Sequence, residues 1–263
     1  MRSMKDWVFE AVRKTGYPLV FTDNYGIRSI LYRWNGTPTW KLRGKYHMAK
    51  EFAAFKKLIP GGGVVLDVGA NIGVHAIMMS RLAKKVYSFE PTGESFQHLK
   101  ENIALNNADN ITPILKAVSS KNGTATFHLF SSENAEWNSL RYRETPSVKP
   151  ATERTVSTIT LDTFAEEQGL EFIDFVKIDV EGAEKEVLMG ASNLLKKHSI
   201  KALSFEVWGE NQGGKTSVDE LIGIFESFKY TVCDYDQKED SFQTLSRPYT
   251  SQLNNDNLYA FPN

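Results

Sequence analysis

The chain is nearly devoid of cysteine. Cys233 is the single one in 263 residues, so no disulfide can form within the chain, which fits a reducing compartment. A charge of one sign is missing as well: 31 lysines and arginines face 32 aspartates and glutamates, a net charge of −1. Proteins held to nucleic acid mainly through phosphates show a basic surplus, so nucleic acid is not an expected partner. No apolar run reaches the ~18 residues of a membrane span. The first ten residues carry Arg2, Lys5, Asp6 and Glu10 where a signal peptide would have its apolar core. The expectation is a soluble, cytoplasmic protein. Internal repeats and low-complexity tracts are also missing. What is present, 41% hydrophobic and 24% charged residues, is the ordinary mix of a folded globular chain.

Residues 1–60 read as a lead-in. A short helix is expected over 4–13, with Trp7, Val8 and Val12 on one side. Two strands are expected within 17–34, turning at Asn24-Tyr25-Gly26. Met48, Phe52, Phe55 and Ile59 then recur at steps of three or four and predict a helix over 47–58, ended by Pro60 and the glycines 61–63. From Val64 the pattern alternates. Apolar runs at 64–67, 86–89, 111–118, 173–178 and 200–206 read as buried strands, and 72–83, 95–105, 183–195 and 218–228 as helices. The last helix opens on Ser217 with Glu220 three residues on, a capping box. Strands at 230–235 and 257–261 close the pattern. Alternation of this kind predicts a mostly parallel, doubly wound α/β sheet covered on both faces.

Residues 119–172 break the alternation. Two strand-like runs, Thr124–Phe130 and Thr155–Leu161, flank a polar stretch with Glu133, Asn134, Trp137, Asn138, Arg141 and Arg143. Pro146 and Pro150 make 144–154 an expected surface loop. The stretch reads as an insertion within one domain over 61–263.

The most informative segment is Val64–Gly73. An apolar strand runs into Asp67, then into a tight turn with Gly69 and Gly73, then into a helix. Glycine permits a sharp turn and close approach of a ligand, and ligands of open α/β sheets sit at the carboxyl ends of strands. A nicotinamide fingerprint would need Gly-x-Gly-x-x-Gly. Here Ala70-Asn71-Ile72 follow Gly69, and an aspartate is a poor neighbour for a pyrophosphate. It suits a cationic ligand such as the ammonium of S-adenosylmethionine. Glu90-Pro91 end the next strand, about 20 positions later, where an acid can accept two ribose hydroxyls. The third strand ends near Ala117-Val118, where main chain and apolar surface would border an adenine.

Asp67-Val68-Gly69-Ala70-Asn71-Ile72-Gly73, Phe89-Glu90-Pro91 and the run Lys177-Ile178-Asp179-Val180-Glu181-Gly182-Ala183-Glu184 together resemble the FkbM-type S-adenosylmethionine-dependent methyltransferases over roughly residues 50–207. The resemblance implies a Rossmann-like sheet of seven strands with an antiparallel last strand. It also implies methylation of a hydroxyl oxygen on a sugar or a polyketide-type small molecule. By position, Asp67, Gly69, Ala70, Asn71 and Gly73 would hold the methionine part of the donor, Glu90 and Pro91 the ribose side, and Ala117 and Val118 the adenine side.

The fourth and fifth strands end in acids. Asp179 and Glu181 follow one and Glu206 ends the other, so the three carboxylates are expected at one sheet edge. Methyl transfer to oxygen needs the hydroxyl ~3 Å from the methyl carbon and a group that takes the proton. Asp179 is the first choice for that group, Glu206 the second, and Glu181 a positioning residue. The helix dipole would favour Glu181 and Glu184 at a helix start in any case. The same carboxylates are hard donors that could take a divalent metal. No linear metal motif is present, however, and His47, His75, His98, His128 and His198 are scattered, so no metal is assigned. His75 is a minor candidate for the base. Trp137 and Trp208 suit sugar rings, Arg141 and Arg143 an anionic acceptor, and Lys177 a partner for one of the acids. The function expected is O-methylation of a sugar or glycan hydroxyl. A polyketide-type acceptor, or a cofactor-binding module without turnover, is the alternative. Oligomeric state is not legible.

Overall fold

A computed structural model describes residues 19–31, 47–130, 138–140, 152–207, 216–245 and 256–263. The helix expected over 4–13, and Glu133, Asn134, Trp137, Arg141, Arg143, Trp208 and the loop at 144–151, lie outside the described residues.

In chain order the elements are β1 (Leu19–Thr22), β2 (Arg28–Leu31), α1 (His47–Leu58), β3 (Val64–Val68), α2 (Val74–Ser80), β4 (Lys85–Phe89), α3 (Gly93–Leu105), β5 (Ile111–Ile114), β6 (Ala117–Val118), β7 (Gly123–Leu129) and β8 (Thr152–Ile159). They continue with α4 (Leu161–Gln168), β9 (Phe175–Ile178), α5 (Glu184–Met189), α6 (Ser192–Lys196), β10 (Leu203–Val207), α7 (Val218–Ser227), β11 (Tyr230–Asp236), β12 (Ser241–Thr244) and β13 (Asp256–Pro262). None of these helices is long and apolar enough to cross a membrane.

The main sheet runs β12-β11-β13-β10-β9-β3-β4-β5. The strands from β10 to β5 are parallel to their neighbours, and β13 is antiparallel to both β10 and β11. Without β12 this is the expected seven-stranded Rossmann-like sheet with an antiparallel last strand. β12 is an eighth strand that the sequence pattern hid. Its residues Ser241-Phe242-Gln243-Thr244 offer one apolar side chain, and they pair with β11 as its hairpin partner.

Each face of the sheet has its own core. On one face Leu66, Val68, Val176, Ile178, Leu203 and Phe205 are sealed by α4, α5, α6 and α7. On the other, Val65, Val86 and Phe175 pack against α1, α2 and α3. Phe55 of α1 meets Phe175 with ring centroids 5.2 Å apart. The β1–β2 hairpin turns where expected: the Asp23 carboxylate accepts the amides of Tyr25 and Ile27. It docks on α3 through two asparagines. Asn102, fully buried, accepts the Ile30 amide at 2.9 Å and donates to the Ile72 carbonyl at 2.8 Å. Asn106 accepts the Arg28 amide and donates back to its carbonyl.

Three sequence expectations are corrected. The strand over 111–118 is two strands. Pro113 lacks an amide hydrogen, which suits β5 to the sheet edge, and the Lys116 amide turns back onto the Ile114 carbonyl. Ala117 and Val118 then form β6 in a separate sheet of order β6-β8-β7. The run Thr155–Leu161 starts earlier, at Thr152, and stops at Ile159. Thr160 caps α4 there by accepting the Thr163 amide, and α4 itself was not foreseen. The helix over 183–195 is broken at Gly190. A Cβ there would lie 2.1 Å from the Ser119 carbonyl oxygen. Asp162 restarts the helix as α6 by accepting the amides of Asn193 and Leu194.

Candidate active site

The strand register builds the site. Ser88, Asp67, Lys177, Ser204 and Tyr259 are aligned neighbours across five adjacent strands. This polar row is fully interior, with Asp67 and Ser88 at 0% exposure and Lys177 at 1%. Two residues further along lie Glu90, Gly69, Asp179, Glu206 and, on the antiparallel strand, Asn257. They form the upper row at the carboxyl ends of the parallel strands.

Gly69 joins the two central strands. Its φ is +85°, and a Cβ there would sit 1.8 Å from the Asp179 carbonyl oxygen, so the turn after β3 lies directly against the end of β9. Gly73, at φ +88°, has Leu99 of α3 where its Cβ would be. The sequence reading gave these glycines both to a sharp turn and to a ligand's approach; the left-handed turn is present, and the space a Cβ would fill is taken by the protein's own backbone and core. Asn71 also turns through the left-handed region, at φ +51°. Its amide donates to Glu90 Oε2 at 3.0 Å. Glu90 Oε1 accepts both the amide and the hydroxyl of Thr92. A carboxylate offers about four lone-pair sites, so among the described residues three of them are filled and one on Oε2 stays open. Burial pushes the Glu90 carboxyl up, against the hydrogen bonds from Thr92 and Asn71. Pro91 is half-buried beside it, and Ala70 is buried. Ala117 and Val118 are buried in two separate apolar clusters, past the turn that ends β5.

Beneath the turn, neither oxygen of Asp67 has a hydrogen-bond partner among the described residues. Burial pushes its carboxyl up, partly offset by Lys177 and His75. Lys177 donates to Asp179 Oδ2 at 2.8 Å. Burial alone would discharge that ammonium, but Asp179, Asp67 and Glu51 hold its proton more tightly than usual.

Asp179, Glu181 and Glu206 converge: one carboxylate oxygen from each lies within 4.8 Å of the others. The left-handed backbone of Glu181, at φ +54°, is part of the turn that brings it there. This trio offers hard oxygen donors that could hold a cation. Two of the acids are driven apart electrically. Burial would raise Asp179, yet the Lys177 ammonium holds it below the usual aspartate range. Burial and the charges of Asp179, Glu181 and Glu184 push Glu206 well above the glutamate range. Glu206 therefore holds a proton more tightly than an ordinary glutamate, and Asp179 less tightly than an ordinary aspartate. Glu184, buried behind them, accepts the Gly182 amide at 3.0 Å and is pushed up to about 7, mainly by burial. Ser139, from the insertion, donates to the Val180 carbonyl at 3.1 Å.

Sequence reasoning missed two residues here. Glu51 of α1 accepts from Asn257 Nδ2 at 2.5 Å and pairs with His75 Nε2 at 2.9 Å. The signal for Glu51 was available: it lies three residues from Met48 and four from Phe55, an acid on the apolar side of an amphipathic helix. Asn257 had none, because its place depends on β13 entering between β10 and β11.

The description of the FkbM methyltransferase domain matches residues 67–232. The chain belongs to the FkbM methyltransferase family. The match begins at Asp67, so α1 with Glu51 and β13 with Asn257 lie outside it. Among relatives, the FkbM-family chain is 34% identical over 133 residues to the hexuronic acid methyltransferase AglP of Haloferax volcanii, covering 51% of the chain and 52% of AglP. It is 28% identical over 193 residues to the methyltransferase sdnD of Sordaria araneosa, covering 62% of the chain and 73% of sdnD. It is 32% identical over 146 residues to the 2-O-methyltransferase NoeI of Sinorhizobium fredii, covering 51% of the chain and 59% of NoeI. The chain thus spans about half the length of AglP and somewhat more of the other two.

Proposed function

We propose that the chain moves the methyl group of S-adenosylmethionine to a hydroxyl of a sugar or glycan. The observation that carries the reading is the contact of Gly69 with the Asp179 backbone. It sets the donor-type turn against the acid cluster of Asp179, Glu181 and Glu206. Two relatives add weight for the acceptor, since one is named for hexuronic acid and another for a 2-O position.

The residues present suit the donor. The open lone pair of Glu90 can take a ribose hydroxyl. The turn Gly69-Ala70-Asn71-Ile72-Gly73 would hold the methionine part, with the charge of buried Asp67 beneath it favouring the ammonium. Pro91 would border the ribose, and the chain at Ala117-Val118 the adenine. S-adenosylmethionine supplies an activated methyl on a sulfonium. Asp179, kept ionised by Lys177, accepts the hydrogen bond of the acceptor hydroxyl and aims its oxygen. Glu206 and Glu181 hold neighbouring hydroxyls. Residues 61–263 act as one catalytic domain, with 119–172 as its insertion and 1–60 as a lead-in whose α1 packs on one face of the sheet.

Calorimetric titration with S-adenosylhomocysteine tests the donor half. Wild type should bind, and Glu90→Ala should weaken binding by about 1–3 kcal/mol, the range of a lost charged hydrogen bond. A wild type that does not bind overturns the methyltransferase reading. Screening sugars for methyl transfer then tests the acceptor half.

A further inference from the structure

The acid cluster leaves the proton of the acceptor hydroxyl without a good destination. Asp179 is bound to Lys177 at 2.8 Å, which makes it a weak base. Glu206, crowded by Asp179 and Glu181, holds its own proton more tightly than an ordinary glutamate. A third group stands nearby. His75 lies in the first turn of α2, directly after the glycine turn, and its Nε2 is 2.9 Å from Glu51 Oε2. Glu51 is itself fixed through Oε1 by Asn257, whose Cα is paired with that of Glu206. The Phe55 ring meets the imidazole edge-on at 6.3 Å between centroids. Among the described residues, the charges that act with the imidazole include Glu51 on α1, Asp67 on β3 and Asp179 on β9, and Lys177 acts on all three acids. Burial would raise Glu51, but the hydrogen bond from His75 and the Lys177 ammonium hold it below the usual glutamate range. A carboxylate accepts hydrogen bonds and cannot donate, so it selects the tautomer with hydrogen on Nε2. The Nδ1 lone pair is then left open, and Nδ1 has no hydrogen bond within the described residues.

We propose that His75 is a further catalytic residue, the final acceptor of the hydroxyl proton, and that Glu51 and Asn257 are its positioning residues. The proposal rests on the methyltransferase reading. In the step, the acceptor oxygen forms its bond to the methyl carbon while the carbon–sulfur bond breaks. The bonding pair stays on sulfur, which becomes a neutral thioether. The hydroxyl proton ends on Nδ1, and the imidazolium so formed is balanced by Glu51. Positive charge passes from sulfur to imidazole, and no further reactant is needed. A carboxylate behind an imidazole that faces a reacting hydroxyl is the orientation logic of hydrolase triads, here supplied by a helix outside the family's matched region.

Nitrogen NMR of histidine-labelled full chain, saturated with S-adenosylhomocysteine and assigned with His75→Gln, reads the tautomer. The tautomer with hydrogen on Nε2 is expected, and Glu51→Gln should scramble that preference. Hydrogen on Nδ1 in wild type overturns the proposal. Methyl transfer from labelled S-adenosylmethionine to a pooled set of mono- and oligosaccharides gives the second readout. His75→Gln should lower turnover at least 100-fold while affinity for S-adenosylhomocysteine changes less than threefold. Glu51→Gln should lower turnover about tenfold and change the pH–rate profile, which a purely structural role would not do. Turnover by His75→Gln within threefold of wild type overturns the proposal. A wild type that fails to bind S-adenosylhomocysteine defeats the methyltransferase reading instead. Binding with no methylated sugar defeats only the acceptor class, and the tautomer then decides whether Nδ1 can take a proton.

Discussion

The two faces of one sheet follow different rules. Under α4 to α7 the strands present Leu66, Val68, Val176, Ile178, Leu203 and Phe205, all fully buried and all apolar. On the face under α1 and α2 the same strands bury Asp67, Ser88, Lys177 and Ser204 just as completely. Burying apolar surface stabilises by roughly 25 cal/mol per Å², whereas burying charge costs energy unless it is paired. The second face has an apolar core of its own, with Val65, Val86 and Phe175. The polar row set into it is a cost carried next to the upper row of acids, and that marks where chemistry was built in.

The largest expected effect comes from damaging both faces and watching pH. Phe205→Ala removes a ring stacked 4.7 Å from Phe225 and should cost about 3–5 kcal/mol with little pH dependence. Lys177→Met leaves buried Asp67 and half-buried Asp179 without their cation. It should cost a similar ~3–5 kcal/mol at pH 8, and the loss should shrink as pH falls and the carboxyls take up protons. Urea unfolding of both variants across pH checks this. Equal pH slopes would erase the distinction between the faces.

A smaller effect isolates one acid. Glu184 is pushed from 4.5 to about 7 in the folded chain. It is an acid raised on folding, so the folded state keeps a proton that the unfolded state releases. Its contribution is full below about 4.5 and is lost as pH rises to about 7. Glu184→Gln keeps an acceptor for the Gly182 amide and should remove about 2–3 kcal/mol of that decline, seen as a flatter plot of stability against pH. An unchanged slope would place the proton elsewhere. The smallest effect is Ser204→Ala. Its hydroxyl has no hydrogen-bond partner among the described residues, so the change should stay within about 0.5 kcal/mol. A cost well above that, read from the urea midpoint, would show that the polar row is a connected network.

Much of this was readable in advance. Alternating strands and helices, Gly69 at its turn, and acids at three strand ends require only local patterns and the rule that ligands sit at carboxyl ends. The misreadings share one cause: contacts distant in sequence. Ile111–Val118 is apolar enough for one strand, but Ala117 pairs with Thr158 in another sheet. Residues 183–195 are helical in period, but Gly190 is pressed against Ser119. Glu51 drew no reading from the sequence, and its partner Asn257 reaches it only through β13.

By itself the sequence determined the doubly wound sheet, the glycine turn and the acids at the strand ends, because periodicity, turn chemistry and strand direction are properties of short segments. Tertiary structure alone decided the ionisation of those acids. Lys177 holds one below its usual range, burial and crowding push another above it, and a helix from the lead-in sets a carboxylate behind His75. Proton affinities depend on burial and on charges a few ångströms away, and those distances exist only once the strands are in register.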